Sequence, residues 1–422
     1  MTTVSVKHSS GWGILKEFVI CIFIAGVLLT MDRCLENLYF YFLYDTGKRI
    51  LDLFMALYLH AHRWFTIIIP VSFLLWVCYW RFHVRYGLLL PIGIYYILSL
   101  LTSLSGEGFP PRWLNTMLYP MAMILFATIM CSTERGVRRF CRVGCDLYIV
   151  LLVLNMAFTL FPQLYHLFTD WEPDYFISAD NLTGFPLLFG AMLALLDRHF
   201  NHNNVRCAIY LVLFFVNQVL IHCGSALIAG VILAGYLAIP QVKRWAQNKP
   251  LSLLIAVSVV LCLLLCGFAI IYCNFIRVEE TVDVFLHLIH KESVYVRFII
   301  WNGTAALIAR KPLFGYGLGE KAEFFNRPKT TLSYNAHNAY LQTLYEGGLV
   351  TTCAALAVLF LTSRFLKKCR DRELSGLFTV LIFAELIMME SSITSWFTWY
   401  PVFLIAQIGT LLCSLPREGE TT

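Results

Sequence analysis

Charged residues are scarce in this chain. Asp, Glu, Lys and Arg make up 14% of its 422 residues, whereas hydrophobic residues make up 59%. A soluble domain carries about 25% charged residues and 45–50% apolar ones. The mean hydropathy of +0.70 points the same way. The composition therefore excludes an ordinary soluble domain and predicts an all-α, polytopic integral membrane protein in a lipid bilayer.

Several catalytic motifs are also missing. The chain has no Walker motif, no Asp-rich or DxD metal cluster and no recognisable Ser/His/Asp motif, and its 14 cysteines show no CxxC or Cys/His metal spacing. We therefore expect no nucleotide, no metal and no other cofactor. The net charge of +6 needs no nucleic-acid partner, because the basic residues lie in short loops between apolar runs. The first apolar run lacks a small-residue cleavage pattern, so we expect a span there rather than a cleaved signal.

Apolar runs of about 20 residues predict membrane spans. Twelve are predicted, near 13–31, 64–80, 86–104, 113–131, 144–162, 183–196, 207–222, 224–240, 251–274, 338–363, 374–391 and 395–414. The aromatic segment 32–62 is interrupted by charges, and we interpret it as an interfacial or re-entrant helix.

Basic residues follow alternate spans, which predicts that both termini and those loops are cytoplasmic. The expected organisation is a bundle of about nine spans over 1–274, a large loop with short helices over 275–336 on the far side, and three C-terminal spans over 337–422.

The 275–336 loop contains an amphipathic pattern, with Val294, Phe298, Trp301 and Ala305 on one side of a predicted helix. A turn at Lys311-Pro312 and three glycines follow. Gly315, Gly317 and Gly319 favour either a close backbone approach to a ligand or a plain surface turn.

His337 ends this loop, directly before an apolar helix. A histidine acts as a base near neutral pH, because its unperturbed pKa is about 6.5. The competing interpretation is a helix-start histidine that only forms hydrogen bonds. Asn338 either orients His337 or caps the helix.

Arg297 lies in the same loop. Its forked guanidinium suits phosphate oxygens, although it could instead be an interfacial anchor or pair with Glu292 or Glu320. Other cations could add positive potential around an anionic ligand or simply be solvated: Arg112, Arg310, Lys311, Lys321, Arg327 and Lys329. Glu385 and Glu390 fall within or at the end of an apolar span, where carboxylates are costly and seldom idle. One of them could fix an arginine or line a cavity, whereas Glu390, near the outer end of the span, could simply reach the interface.

The residues around His337 resemble a known family. His337-Asn338, nine residues, Gly348, two residues and Thr351 fit the pattern of bacterial O-antigen ligases. A second pattern resembles a loop that ligases share with Wzy-type polymerases; it consists of Arg297, Trp301, Pro312, Gly315 and Gly317. The stretch from Asp180 to Gly184, which opens a predicted span, is also similar to that family. The likeness covers roughly 180–360.

The resemblance implies a glycosyltransferase of lipopolysaccharide biosynthesis in the inner membrane of a Gram-negative bacterium. It would transfer a polysaccharide from undecaprenyl pyrophosphate to a sugar hydroxyl of lipid A–core on the periplasmic side, inverting the configuration without a metal. His337 would be the base that removes the acceptor proton, and Arg297 would hold the pyrophosphate. Asn338, Arg112, Arg310 and Lys311 are the further candidates for substrate binding.

One position departs from the family. Ligases usually carry another arginine in a span before the loop, and the corresponding stretch 222–227 has none. Either another cation, such as Arg112 or a basic residue within 310–329, takes its place, or the alignment shifts there.

Two alternatives remain open. A Wzy-type polymerase acting on lipid-linked repeats shares the same motifs. A polysaccharide transporter or flippase should show paired broken helices or a repeat between its two halves, and the sequence has neither.

Overall fold

The computed structural model describes most of the chain. The described residues are 11–31, 49–80, 86–106, 108, 110–167, 176–177, 183–221, 223–275, 293–319, 335–390 and 399–415.

These residues form fourteen α-helices, one short 3-10 helix at Pro162–Leu167 and no β-strand. The helices are α1 Gly11–Met31, α2 Arg49–Trp80, α3 Leu89–Ser105, α4 Pro110–Met130, α5 Glu134–Leu160, α6 Gly184–Asn201, α7 Asn204–Leu220, α8 Gly224–Ala238, α9 Pro240–Asn248, α10 Leu251–Phe275, α11 Ser293–Arg310, α12 Ala339–Lys368, α13 Arg372–Met388 and α14 Tyr400–Cys413. The predicted all-α class is confirmed, and each of the twelve predicted spans overlaps one of these helices.

Among the described residues, four helical stretches are long and apolar enough to cross a membrane. The helices α8 and α9, which are bent by 97° at their junction, would make a fifth if the two form one span. The four are Ala56–Tyr79, Glu134–Leu160, Leu251–Asn274 and Ala339–Lys368. Four other apolar helices are shorter. Several apolar helices support a multi-pass membrane protein, while the count of twelve spans and the far-side loop stay predictions.

The expectation for segment 32–62 needs correction. Residues 32–48 lie outside the described residues, and residues 49–62 do not form an interfacial helix of their own. They are the first part of α2, which continues to Trp80. No proline or glycine occurs between 49 and 69, so the charged side chains alone do not end the helix.

The centre of the bundle is formed by α6 and α14, whose side chains are almost all buried. At the periphery, α10 exposes apolar side chains, including Leu263 at 66% and Leu264 at 65%. A helix that is apolar on its outer face needs lipid as its solvent. A second, smaller core joins α10, α11 and α12 around Trp301, Tyr316 and Tyr345.

The helix α12 is broken at Gly348, which has φ 61° and ψ −163°. The loop after α11 packs against this break, and its backbone replaces the hydrogen bonds that the helix loses there. Four bonds do this: Tyr316 N to Tyr345 O (2.8 Å), Gly317 N to Glu346 O (2.7 Å), Leu349 N to Pro312 O (2.8 Å) and Val350 N to Leu313 O (3.2 Å).

Gly315 and Gly317 have positive φ values of 64° and 83°. A Cβ on Gly315 would lie 2.6 Å from the carbonyl oxygen of Tyr345, and one on Gly317 would lie 2.7 Å from the backbone nitrogen of Gly108. The interpretation as a plain surface turn is therefore wrong for these two glycines, which are buried, and the backbone that they approach closely is the protein's own.

Candidate functional site

The helix α11 lies against the segment that carries His337. The indole N–H of Trp301 donates to the carbonyl oxygen of Ala336, the residue before His337, over 2.9 Å. Trp301 and Phe298 both face inward, as the amphipathic pattern predicted, and Phe298 packs against Phe268 and Tyr272 of α10. Arg297 lies one helical turn before Trp301, so the same contact places it near His337.

His337 has a left-handed backbone, with φ 47°. This conformation is uncommon for a residue other than glycine and needs support from its surroundings. The support comes partly from the preceding residues. The backbone N–H of His337 donates to Asn335 Oδ1 over 2.9 Å, and the N–H of Ala336 donates to Gln342 Oε1 over 2.8 Å.

Asn338 caps α12. Its Oδ1 accepts a hydrogen bond from the backbone N–H of Leu341 over 3.0 Å, and its Nδ2 donates to the carbonyl oxygen of Glu390 over 2.7 Å. The residue is 1% exposed. The capping alternative is thus confirmed, and both polar atoms of this side chain are used inside the protein.

The site lies alongside α10 rather than beyond its end. Asn338 contacts the sulfur of Cys262 at 3.8 Å, and Cys262 is eleven residues after Leu251, the first residue of α10. At 1.5 Å per residue this is about 16 Å along the helix. The apolar surface of α10 therefore lies next to the segment that carries His337 and removes part of its water.

The electrostatics of His337 follow from this position. Burial, and in second place the positive charge of Arg297, lower the pKa of His337 from 6.5 to about 4. Both causes disfavour the imidazolium. At neutral pH the imidazole is therefore neutral and has a lone pair available to accept a proton.

Arg297 is half-buried, and burial lowers its pKa. An arginine still stays charged at neutral pH. It forms no ion pair with any residue that the structure describes; Glu292 and Glu320, the partners considered from the sequence, lie outside the described residues. A half-buried guanidinium without a carboxylate neighbour favours an anionic ligand.

Besides α10 and α11, the start of α8 also borders the site. Arg297 interacts electrostatically with Cys223, and the sulfur of Cys223 lies 3.3 Å from the hydroxyl oxygen of Ser225. This is the stretch 222–227 in which the family arginine is missing; His222 lies outside the described residues. This stretch therefore reaches Arg297 through the thiol of Cys223, and the substitution of another cation for the family arginine stays a prediction.

The other predicted cations are not gathered here. Arg310 is the last residue of α11 and Lys311 follows it, roughly 20 Å from Arg297 at 1.5 Å per residue. Arg310 is exposed, and Lys311 Nζ lies 4.7 Å from the centre of the Tyr316 ring. Arg112 is in α4, but its side chain lies outside the described residues, as do Lys321, Arg327 and Lys329.

The two carboxylates singled out in the sequence are both buried, Glu385 at 0% and Glu390 at 3% exposure. Glu390 does not reach an interface. It accepts a hydrogen bond from Ser258 Oγ over 2.9 Å, and Ser258 Oγ also lies 2.7 Å from the hydroxyl of Tyr340. Sequence reasoning missed Ser258 and Tyr340, because a serine and a tyrosine inside apolar runs carry no periodic signal.

The structure also contains a cavity of about 450 Å³ away from this site. It lies where the ends of α6, α9 and α13 meet, and neither His337 nor Arg297 lines it. Within the described residues no group of three potential metal ligands occurs.

Comparison with known proteins gives one family match. The family model described as O-antigen ligase matches residues 209–356. No curated protein matches the chain. The matched region runs from α7 into α12 and contains Arg297, His337 and Gly348. Residues 209–356 are thus similar to the O-antigen ligase family, as the resemblance of their motifs predicted.

Proposed function

We propose that the protein is an O-antigen ligase that transfers a polysaccharide from undecaprenyl pyrophosphate to a sugar hydroxyl of lipid A–core. The observation that carries the proposal is a neutral, half-buried His337 beside a half-buried Arg297 that has no ion-pair partner among the described residues, both within the region that the family model matches. A base and a fixed cation are the two groups that this transfer requires.

In the proposed reaction the acceptor hydroxyl attacks the anomeric carbon of the donor sugar. The new carbon–oxygen bond forms as the bond to the pyrophosphate oxygen breaks, and undecaprenyl pyrophosphate leaves with the bonding electrons. The hydroxyl proton passes to a nitrogen of His337. Arg297 stabilises the negative charge that develops on the pyrophosphate. Attack from the face opposite the leaving group inverts the anomeric configuration.

The remaining residues have narrower roles in this proposal. Because Arg310 and Lys311 lie roughly 20 Å from Arg297, we restrict the direct pyrophosphate contact to Arg297. Arg112 stays a candidate for a second cation. Asn338 acts indirectly: because it caps α12, it fixes the backbone directly after His337.

We place the protein in the inner membrane of a Gram-negative bacterium, with the loop 275–336 and the site facing the periplasm. The support is the alternation of basic loops along the sequence. The site itself is surrounded by apolar helices, which suits a donor whose lipid tail stays in the bilayer.

A deletion strain tests the activity. Loss of long chains from lipid A–core with retention of the lipid-linked polymer supports the ligase. Core that carries a single repeat indicates instead the polymerase that acts on lipid-linked repeats, since its motifs are the same. Purified protein that moves no glycan between donor and acceptor, but whose loss traps lipid-linked glycan in the cytoplasmic leaflet, would indicate a flippase.

A further inference from the structure

The turn that follows α13 holds the start of α12. The backbone N–H of Ala339 donates to the carbonyl oxygen of Met389 over 2.9 Å. The side-chain amide of Asn338 donates to the carbonyl oxygen of Glu390 over 2.7 Å. The two residues directly after His337 are therefore fixed by α13 as well as by their own helix.

The side chain of Glu390 is in turn fixed by α10. Its Oε1 accepts from Ser258 Oγ over 2.9 Å, and Ser258 bonds to the Tyr340 hydroxyl over 2.7 Å. Ser258 and Tyr340 are 0% and 4% exposed. Three helices thus meet in one buried polar cluster, which consists of Ser258, Asn338, Tyr340 and Glu390.

A buried carboxylate is an expensive way to join helices. Burying a carboxyl group costs free energy in either protonation state unless both of its oxygens find hydrogen-bond partners, and an apolar side chain of similar size would pack there at lower cost. The second carboxylate oxygen, Oε2, has no hydrogen-bond partner among the described residues. Helix packing alone therefore does not explain Glu390, whereas a requirement for one exact geometry does.

That geometry is the backbone of His337. Its left-handed φ of 47° persists only when the residues on both sides of it are held. Asn335, Gln342 and Trp301 hold the residues up to Ala336 and the His337 N–H. After His337, Asn338 and Ala339 are held by their hydrogen bonds to the turn that follows α13.

We propose that Glu390 is a positioning residue of the transfer reaction. It acts through Asn338: Ser258 fixes the Glu390 side chain, the Glu390 carbonyl oxygen fixes Asn338, and Asn338 keeps His337 beside Arg297. The proposal rests on the proposed function, since it assigns Glu390 to the geometry of the base in that reaction.

The test compares purified full-length variants in transfer assays that use a lipid-linked glycan donor and a lipid A–core acceptor. Glu390→Ala removes the link to Ser258, whereas Glu390→Gln keeps a carbonyl oxygen that accepts from the same hydroxyl. Glu373→Ala is the matched control, because Glu373 is exposed in the first turn of α13, at the far end of that helix from Glu390, and pairs with Lys243.

We expect Glu390→Ala to lower kcat by about tenfold or more with little change in the KM for the donor, since small displacements of a catalytic group cost this much. Glu390→Gln should recover most of the rate, and Glu373→Ala should behave as the wild type. The acidic limb of the pH–kcat profile of Glu390→Ala should move to higher pH, because a displaced imidazole leaves its buried position beside Arg297.

Ser258→Ala provides a second route if Glu390→Ala does not fold, and the same loss of kcat and shift of the acidic limb are expected. The inference is overturned if both Glu390→Ala and Ser258→Ala keep the wild-type kcat and acidic limb while His337→Gln is inactive. A wild type no more active than His337→Gln would instead overturn the proposed function.

Discussion

Trp301 and Ala336 are joined by a 2.9 Å hydrogen bond from the indole N–H to the backbone carbonyl oxygen. This bond ties α11 to the residue before His337, across 35 residues of sequence. Both partners are buried, at 3% and 0% exposure. Because Arg297 lies one turn before Trp301, the distance between the candidate base and the candidate cation depends on this bond.

Trp301→Phe should therefore weaken transfer without unfolding the protein. The ring still packs against Phe298, but the carbonyl oxygen of Ala336 loses its donor. We expect kcat to fall by about tenfold and the melting temperature to drop only slightly. Trp245→Phe on α9 is the control, since Trp245 is exposed. An unchanged kcat would mean that packing alone holds the two residues together.

Arg297→Ala should abolish transfer, and Arg297→Lys should recover only part of it, because lysine keeps the charge but loses the fork. The measurement is glycan transfer at matched protein levels, with Arg244→Ala on α9 as an exposed control. Full activity of Arg297→Ala would reduce this residue to an anchor at the membrane interface.

The pH dependence should reflect the low pKa of His337. Since that pKa is about 4, the imidazole is neutral at every pH above it, and protonation removes the base only as the pH falls through about 4. The rate should thus stay level between pH 8 and about pH 5, whereas an ordinary histidine would already lose activity near 6.5. In Arg297→Lys the acidic limb should stay low, because lysine keeps the positive charge. In Arg297→Gln, which we expect to be inactive, the pKa of His337 should rise when its imidazole is titrated by NMR, because the repelling charge is gone.

His337→Gln should reduce transfer by at least about a hundredfold, since general-base help is worth roughly 10²–10⁴-fold. Glutamine retains hydrogen bonding but has no basic nitrogen. The comparison uses purified protein in detergent or bilayer without added metal. Near-normal rates would leave Arg297 and substrate proximity as the whole basis of catalysis.

Gly348→Ala should destabilise the protein by about 1–3 kcal/mol or more, the cost of a strained backbone conformation. Its φ is 61°, and a Cβ would lie 2.3 Å from the carbonyl oxygen of Leu313. Gly267→Ala is the control, because nothing lies within 4 Å of a Cβ there and alanine favours a helix. The free energy of unfolding or the melting temperature in detergent distinguishes the two variants.

Sidedness is tested with inserted tags. A tag in 275–336 should be accessible from the periplasm and one in 364–373 from the cytoplasm, as the basic loops predict. Access to the first tag only from the cytoplasm would contradict the proposed mechanism, because the donor glycan would lie on the wrong side of the membrane.

The sequence by itself determined the helical class, because long apolar runs without charge belong in lipid, where a backbone segment must satisfy its own hydrogen bonds and therefore forms a helix. It also located the helix bearing Phe298 and Trp301, the candidate base, the candidate cation and the cap at Asn338. These are properties of local pattern and residue chemistry. It did not determine that α2 extends back to Arg49, since charged side chains are compatible with a helix and only packing or a breaker ends one.

Only the tertiary structure decided which of these residues meet. It brought Arg297 to His337 through Trp301 and separated both from Arg310 and Lys311, which the sequence placed in the same loop. It showed that the loop containing Gly315 and Gly317 packs its backbone against α12 where that helix is broken at Gly348. It also gave His337 its low pKa and joined Glu390 to Ser258. The physical reason is the same in each case: desolvation and hydrogen bonding between distant segments depend on distances in space, which one-dimensional spacing does not contain.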